Sequence, residues 1–165
     1  MRVIIAILLG VAACGGSSKP ANPTGPTDPG PPISAEKVLV HVDANGVGLG
    51  GHDPVAYQAG APVAGVPDHT AKHGGATYQF ASAESKATFE AAAAQHAPQY
   101  GGYCAFAASQ NRLSPSDPKI FLIHDGQLLV FTNQDFLDQF KKDPAGNKQK
   151  ADANWPGLVA QHGKI

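Results

Sequence analysis

Ile120-Phe121-Leu122-Ile123-His124-Asp125-Gly126-Gln127-Leu128-Leu129-Val130-Phe131 is the stretch that decides the fold class. Two apolar, β-prone runs flank Asp125-Gly126, a dipeptide suited to a type I′ turn because both of its central residues must take positive φ. The stretch therefore predicts an antiparallel hairpin. Downstream, Thr132-Asn133-Gln134-Asp135 has the form of a capping box, with the Thr132 hydroxyl and the Asp135 carboxylate three apart. Phe136, Leu137 and Phe140 then give the helix that follows one apolar face. A last helical stretch is expected from about Asn147 to Asn154, ending near Pro156, whose ring and missing N–H oppose a continuing helix.

Upstream of the hairpin, Tyr103-Cys104-Ala105-Phe106-Ala107 is apolar and expected to be buried, and Pro98 and Gly101-Gly102 break the chain before it. Ser82 is a good N-cap for an alanine-rich helix over Ala83–Gln95, and Thr77-Tyr78-Gln79-Phe80-Ala81 reads as a short strand. Lys37-Val38-Leu39-Val40-His41-Val42-Asp43 is β-rich and ends at Asn45-Gly46, a turn signal. His69-Thr70-Ala71-Lys72-His73 lies between Pro67 and Gly74-Gly75 and reads as a solvated loop. Strands and helices mix without a βαβ rhythm, which predicts an α+β fold: one small domain over residues 36–165.

The first 35 residues have a different character. Met1-Arg2 is a short basic region, and Val3-Ile4-Ile5-Ala6-Ile7-Leu8-Leu9 is apolar but too short to span a bilayer. Val11-Ala12-Ala13-Cys14 has the small residues and cysteine of a lipoprotein cleavage site. Residues 1–13 are thus expected to be a lipoprotein signal peptide, with diacylglycerol and a further acyl chain such as palmitate on Cys14, because one chain anchors only marginally. Residues 14–35 hold Pro20, Pro23, Pro26, Pro29, Pro31 and Pro32 among Gly, Ser, Thr and Asn, the composition of a disordered linker. The expected location is the cell envelope, facing the periplasm or exterior. Gly15 after the cysteine, rather than aspartate, resembles outer-membrane lipoproteins of Gram-negative hosts.

Composition narrows the function classes. The net charge is −1 with both signs interspersed and no basic run, which argues against nucleic acid and against polybasic attachment to lipid headgroups. With Cys14 lipidated, Cys104 is the remaining thiol, so the domain has no internal disulfide.

Four ordered motifs carry a resemblance. His52-Asp53-Pro54-Val55-Ala56-Tyr57, Gly75-Ala76-Thr77-Tyr78-Gln79-Phe80-Ala81-Ser82-Ala83-Glu84, Tyr100-Gly101-Gly102-Tyr103-Cys104-Ala105 and Lys150-Ala151-Asp152-Ala153-Asn154-Trp155-Pro156 resemble the exported bacterial YHS-domain proteins, over nearly all of residues 38–158. The resemblance implies a small α+β module of a family suspected of metal binding. The metal-associated branch carries cysteines where this chain has Ala56, Ala81 and Ser85. Alanine has no donor atom and a neutral hydroxyl is a poor soft-metal ligand, so that thiolate site is absent.

A different ligand or metal site would have to draw on Cys104, His52, Asp53, Tyr57 and Tyr103, with copper or zinc as the ion a Cys/His set suits. For two of them there is a plainer role: a buried thiol for Cys104, and a side-chain cap of the turn at Pro54 for Asp53. His69 and His73 are spaced four apart, His96 follows the alanine-rich helix, and Trp155 reads as a core plug. The chain is thus expected to be a membrane-tethered binding module for a transition metal or small ligand, and not an enzyme, since no catalytic signature accompanies Cys104. The alternatives are a metal-free structural or protein-interaction domain docking on an envelope protein, and, least favoured, a cysteine-dependent enzyme.

Overall fold

The computed structural model describes residues 36–165; the signal segment, Cys14 and the linker lie outside the described residues. The domain is α+β, built from two antiparallel hairpins and five helices. In chain order these are β1 (Val66–His73), β2 (Ala76–Phe80), α1 (Ala83–Ala91), α2 (Ala93–His96), α3 (Ala105–Ser109), β3 (Asp117–His124), β4 (Gln127–Phe131), α4 (Gln134–Lys141) and α5 (Pro144–His162).

The Asp125-Gly126 turn has φ of 51° and 74°, as a type I′ turn requires, and β3 and β4 pair from His124↔Gln127 back to Asp117↔Phe131 with a bulge between Asp117 and Phe121. β4 is buried on both faces. Leu129 and Phe131 enter one core cluster with Cys104, Leu137, Phe140 and Leu158, while Leu128 and Val130 enter another with Tyr57, Tyr78, Phe80 and Phe89. This strand, shared by two cores, sets the relative position of everything else.

Several local expectations change in the structure. The N-cap after β4 is Asn133, whose side chain accepts from Phe136 N, because the Thr132 hydroxyl instead donates to Pro115 O at 2.7 Å. The alanine-rich helix is interrupted at Ala92 (φ −148°, ψ 50°), so α1 and α2 are separate. Lys37–Asp43 is not a regular strand: Val38 bridges Lys164, His41 N donates to Gly101 O, and Val42 bridges Gly48, so successive residues pair with different segments. His69–His73 is strand rather than loop, with Thr70↔Gln79 and His73↔Ala76 as partners.

α5 starts at Pro144, capped by Asp143, and runs through Pro156 to His162. Pro156 removes one helical N–H donor. Tertiary contacts on both sides of it hold the helix: Asn154 Nδ2 donates to Ala108 O and Ser109 O (3.0 and 3.2 Å), Ala151 and Leu158 are buried, and the Tyr100 hydroxyl donates to Asp152 Oδ1 at 2.8 Å.

Three buried phenols link this core to pH. Tyr78 is pushed up to about 12 by burial; Tyr57 is raised by burial and then by the Asp117 charge, and Tyr100 by burial and its bond to Asp152. Folded-state values above the ordinary 10 mean that the stability from these groups is complete below pH 10 and is lost as pH rises through the folded values. In an alkaline titration, phenolate absorbance from these three tyrosines is expected to appear together with loss of the circular dichroism signal. Their ionisation near pH 10 in a still-folded protein would contradict the packing described.

Candidate functional site

Leu49, Gly50 and Gly51 all take positive φ (52°, 55° and 76°), forming a tight left-handed turn that leads through His52, in extended conformation, to Asp53 in the protein interior. Asp53 is 1 % exposed. Its Oδ1 accepts from Val55 N at 2.9 Å, closing the turn over Pro54, and its Oδ2 accepts from Ala81 N at 3.0 Å and Ser85 Oγ at 2.5 Å. Its backbone is held as well, with Asp53 N donating to Val63 O. The carboxylate thereby ties the Pro54 turn to the end of β2 and the first turn of α1, whose N-terminal dipole also favours a negative charge. A buried charge is tolerated only when its lone pairs find donors, and here they do.

The neighbours of Asp53 are committed in the same way. Tyr57 is fully buried, its hydroxyl donating to Pro118 O at 2.8 Å and its ring meeting Phe121 edge-on at 4.9 Å. His52 is half-buried with Nδ1 3.0 Å from Leu49 O; a carbonyl can only accept, so Nδ1 carries the proton.

Cys104 and Tyr103 belong to a second segment. Cys104 is fully buried, its N donating to Ser114 O, and it bridges Val130 of β4. Tyr103 is half-buried between His41 (ring centroids 5.3 Å) and Trp155 (6.4 Å). Burial lowers the His41 pKa, opposed by a hydrogen bond to the Gly102 backbone. Tyr57 and Cys104 thus sit in different core clusters.

The remaining histidines are dispersed. His73 packs edge-on against Phe89 at 6.0 Å, His124 faces Asp125 at 3.5 Å, and His96 closes α2 with Nδ1 buried and without a hydrogen-bond partner. Among the described residues no three His, Cys, Asp or Glu side chains are grouped so as to hold a metal. Ala56, Ala81 and Ser85 gather at one place: Ala56 N bonds Asp53 O, and Ala81 N and Ser85 Oγ bond its carboxylate. What stands there is a carboxylate that already accepts three hydrogen bonds. The residues present do not fit a copper or zinc ion.

Sequence reasoning took Ser85 only as a missing ligand, and its role as partner of Asp53 was not foreseen. The signal available was an N-terminal serine of a helix preceded by a chain reversal.

Concave surface occurs elsewhere. A groove of about 730 Å³ is lined chiefly by Val38, Leu39, Gly101, Trp155, Pro156 and Val159. A smaller cavity of about 410 Å³ shares Val38 and Leu39 and adds Val40, Tyr103, His162 and Lys164. Both depend on the first described residues being pinned to the end of the chain: Val38 and Lys164 exchange backbone hydrogen bonds (2.8 and 2.9 Å), and Lys37 Nζ donates to Ala160 O at 2.7 Å. Gly101 is required there, since its φ is 55° and a Cβ would strike the Leu39 carbonyl.

Comparison with protein-family models, with curated proteins and with solved structures found no match.

Asp53→Ala leaves Val55 N, Ala81 N and Ser85 Oγ without their shared acceptor, and its expected cost is about 2–4 kcal/mol in urea unfolding. Asp53→Asn substitutes a donor for an acceptor and should recover only part of that loss; a variant as stable as the parent would remove Asp53 from its anchoring role. Cys104 should resist an alkylating reagent in the native protein and react fully once it is unfolded, whereas native-state labelling would show that the thiol opens to solvent.

Proposed function

We propose that the chain is a lipid-anchored, non-catalytic module of the cell envelope, held by acyl chains on Cys14, that engages an envelope protein partner through the apolar groove around Trp155 rather than through a metal ion. The observation that carries this reading is the contrast between the two kinds of site. The residues expected to bind a metal or small ligand are engaged in internal hydrogen bonds or buried apart, while Trp155, Val38 and Val159 line a mostly apolar concavity at the surface. Aromatic and aliphatic side chains around a concavity suit recognition of apolar partner surface. A linker rich in proline, at ~3.1 Å per residue when extended, gives the domain reach on the order of 60 Å from the bilayer. A fully buried thiol with no paired base supports the non-catalytic part.

Three measurements separate the parts of the proposal. Cys14→Ser should move the protein from the membrane to the soluble fraction; continued membrane attachment would refute the anchor. Titration with Cu(I), Cu(II) and Zn(II) should show no tight stoichiometric binding, and one-equivalent binding abolished by Cys104→Ala would restore the metal reading. Val38→Glu, at an exposed groove position, should abolish in-cell crosslinking to the partner while leaving the unfolding free energy within about 0.5 kcal/mol of the parent. Retained crosslinking would exclude the groove.

A further inference from the structure

The two hairpins keep a constant spacing. β3 begins 51 residues after β1 (117 against 66), β4 51 after β2 (127 against 76), and α4 51 after α1 (134 against 83). The spacing holds below the level of whole elements. The bulge lies between Val66 and Thr70 in β1 and between Asp117 and Phe121 in β3. The left-handed turn Leu49-Gly50-Gly51 (φ 52°, 55°, 76°) has its counterpart in Tyr100-Gly101-Gly102 (53°, 55°, 78°).

Hydrogen bonds and packing repeat at the same offset. Asp53 N donates to Val63 O, and Cys104 N to Ser114 O. Ser82 caps α1 through the amide three residues on, and Asn133 caps α4 likewise. Gly65 N bonds Gly51 O, where the second half uses Ser116 Oγ on Gly102 O. Phe80 meets Phe89 at 5.1 Å between ring centroids, and Phe131 meets Phe140 at 5.2 Å. The shared identities fall on the positions this geometry needs: the glycine pair, the strand-entering proline (Pro67, Pro118), the turn glycine (Gly75, Gly126) and the phenylalanine pair.

We infer that residues 49–91 and 100–142 are two copies of one unit, and that Asp53 and Cys104 are the same position of that unit, an anchoring slot filled by a hydrogen-bonded carboxylate in the first copy and by a thiol in the second. The copies are arranged head to tail. The segment after the slot in the first copy docks on the second hairpin, through Tyr57 on Pro118 O and Gln58 Nε2 on Gly126 O at 3.0 Å. The corresponding segment of the second copy, α3, docks on α5 through Asn154. α5 thus occupies the place of a third hairpin and closes the array, as a terminal cap does in repeat proteins.

The divergence of the two copies follows what covers each. β3 carries Lys-Ile-Phe-Leu-Ile-His over 119–124 where β1 carries Asp-His-Thr-Ala-Lys-His over 68–73. The apolar version lies between both core clusters; the polar version belongs to the hairpin on which no preceding copy docks. In the slot itself, Asp53 has Ser85 as a hydroxyl partner, and the position equivalent to Ser85 is Phe136, which packs on Phe106 at 5.4 Å. A carboxylate in one copy answers to a thiol in the other, and the hydroxyl that donates to it answers to a phenyl ring. Cys104 is then a positioning residue for the turn over Cys104–Ala108 and has no ligand of its own.

The test is a transplant in the full-length protein, read by thermal unfolding and therefore independent of any ligand or partner. Cys104→Asp alone should lower the unfolding midpoint by about 10 °C or more, as a buried carboxylate short of a donor does. Adding Phe136→Ser should leave the double variant at least about 5 °C above the midpoint that the two single effects predict by addition. The reverse transplant, Asp53→Cys with Ser85→Phe, should couple with the same sign and supplies the answer if the carboxylate variants do not fold. Additive effects in the cycle that folds would overturn the equivalence of the two slots.

Discussion

The buried carboxylate of Asp53 is the constraint on which the first half of the domain depends. It stands in the interior with a charge that is stable there only because three donors converge on it: the amides of Val55 and Ala81 and the hydroxyl of Ser85. Those donors come from a turn, the end of β2 and the start of α1. Satisfying one charged group therefore sets three chain segments in register. Tyr57, four residues on, is thereby directed onto Pro118 and Phe121, which joins the first half to the second hairpin.

The second half answers the same geometric problem without a charge. Cys104 enters the core beside Leu129 and Phe131, and α5 supplies the contacts that a further hairpin would otherwise make. The two solutions meet at β4, whose alternate side chains fill both cores. Such a strand has no solvent face, which accounts for its unbroken apolar run. The cost of this arrangement is that few polar side chains in the interior remain available for a ligand.

That economy bears on function. His52, Asp53 and Tyr57 are tied to carbonyls and amides of the fold, and Cys104 lies in a separate core. One concave surface is built by main-chain pairing between Val38 and Lys164 and by the side chains of α5 around Trp155. Its lining is mostly apolar, and it lies beside the first described residues of the domain.

Much of the α+β architecture was legible in the sequence, since it rests on short-range rules. Asp125-Gly126 between apolar runs can scarcely close any other way, and Ser82 before an alanine-rich run caps a helix through its own hydroxyl. The expectations that failed concern segments whose local signals are overridden at a distance. Pro156 ends a helix by local rule, yet α5 continues because Asn154 and Leu158 are held by other elements. Lys37–Asp43 is rich in valine, yet forms no regular strand because its residues pair with Lys164, Gly101 and Gly48 in turn. Thr132 was displaced as a cap by the pull of Pro115 O on its hydroxyl.

The candidate site divides along the same line. Residue types alone named Asp53 as a turn former and Cys104 as a thiol fit for burial, and both properties are intrinsic to the side chains. Sequence by itself thus determined the class of fold and the Asp125-Gly126 turn of the second hairpin. Only the tertiary structure decided that Ser85 and Ala81 would close on Asp53, that Tyr57 and Cys104 would lie in different cores, and that Trp155 would border a groove. Convergence of groups far apart in the chain depends on how whole elements pack, and no local pattern of residues encodes it.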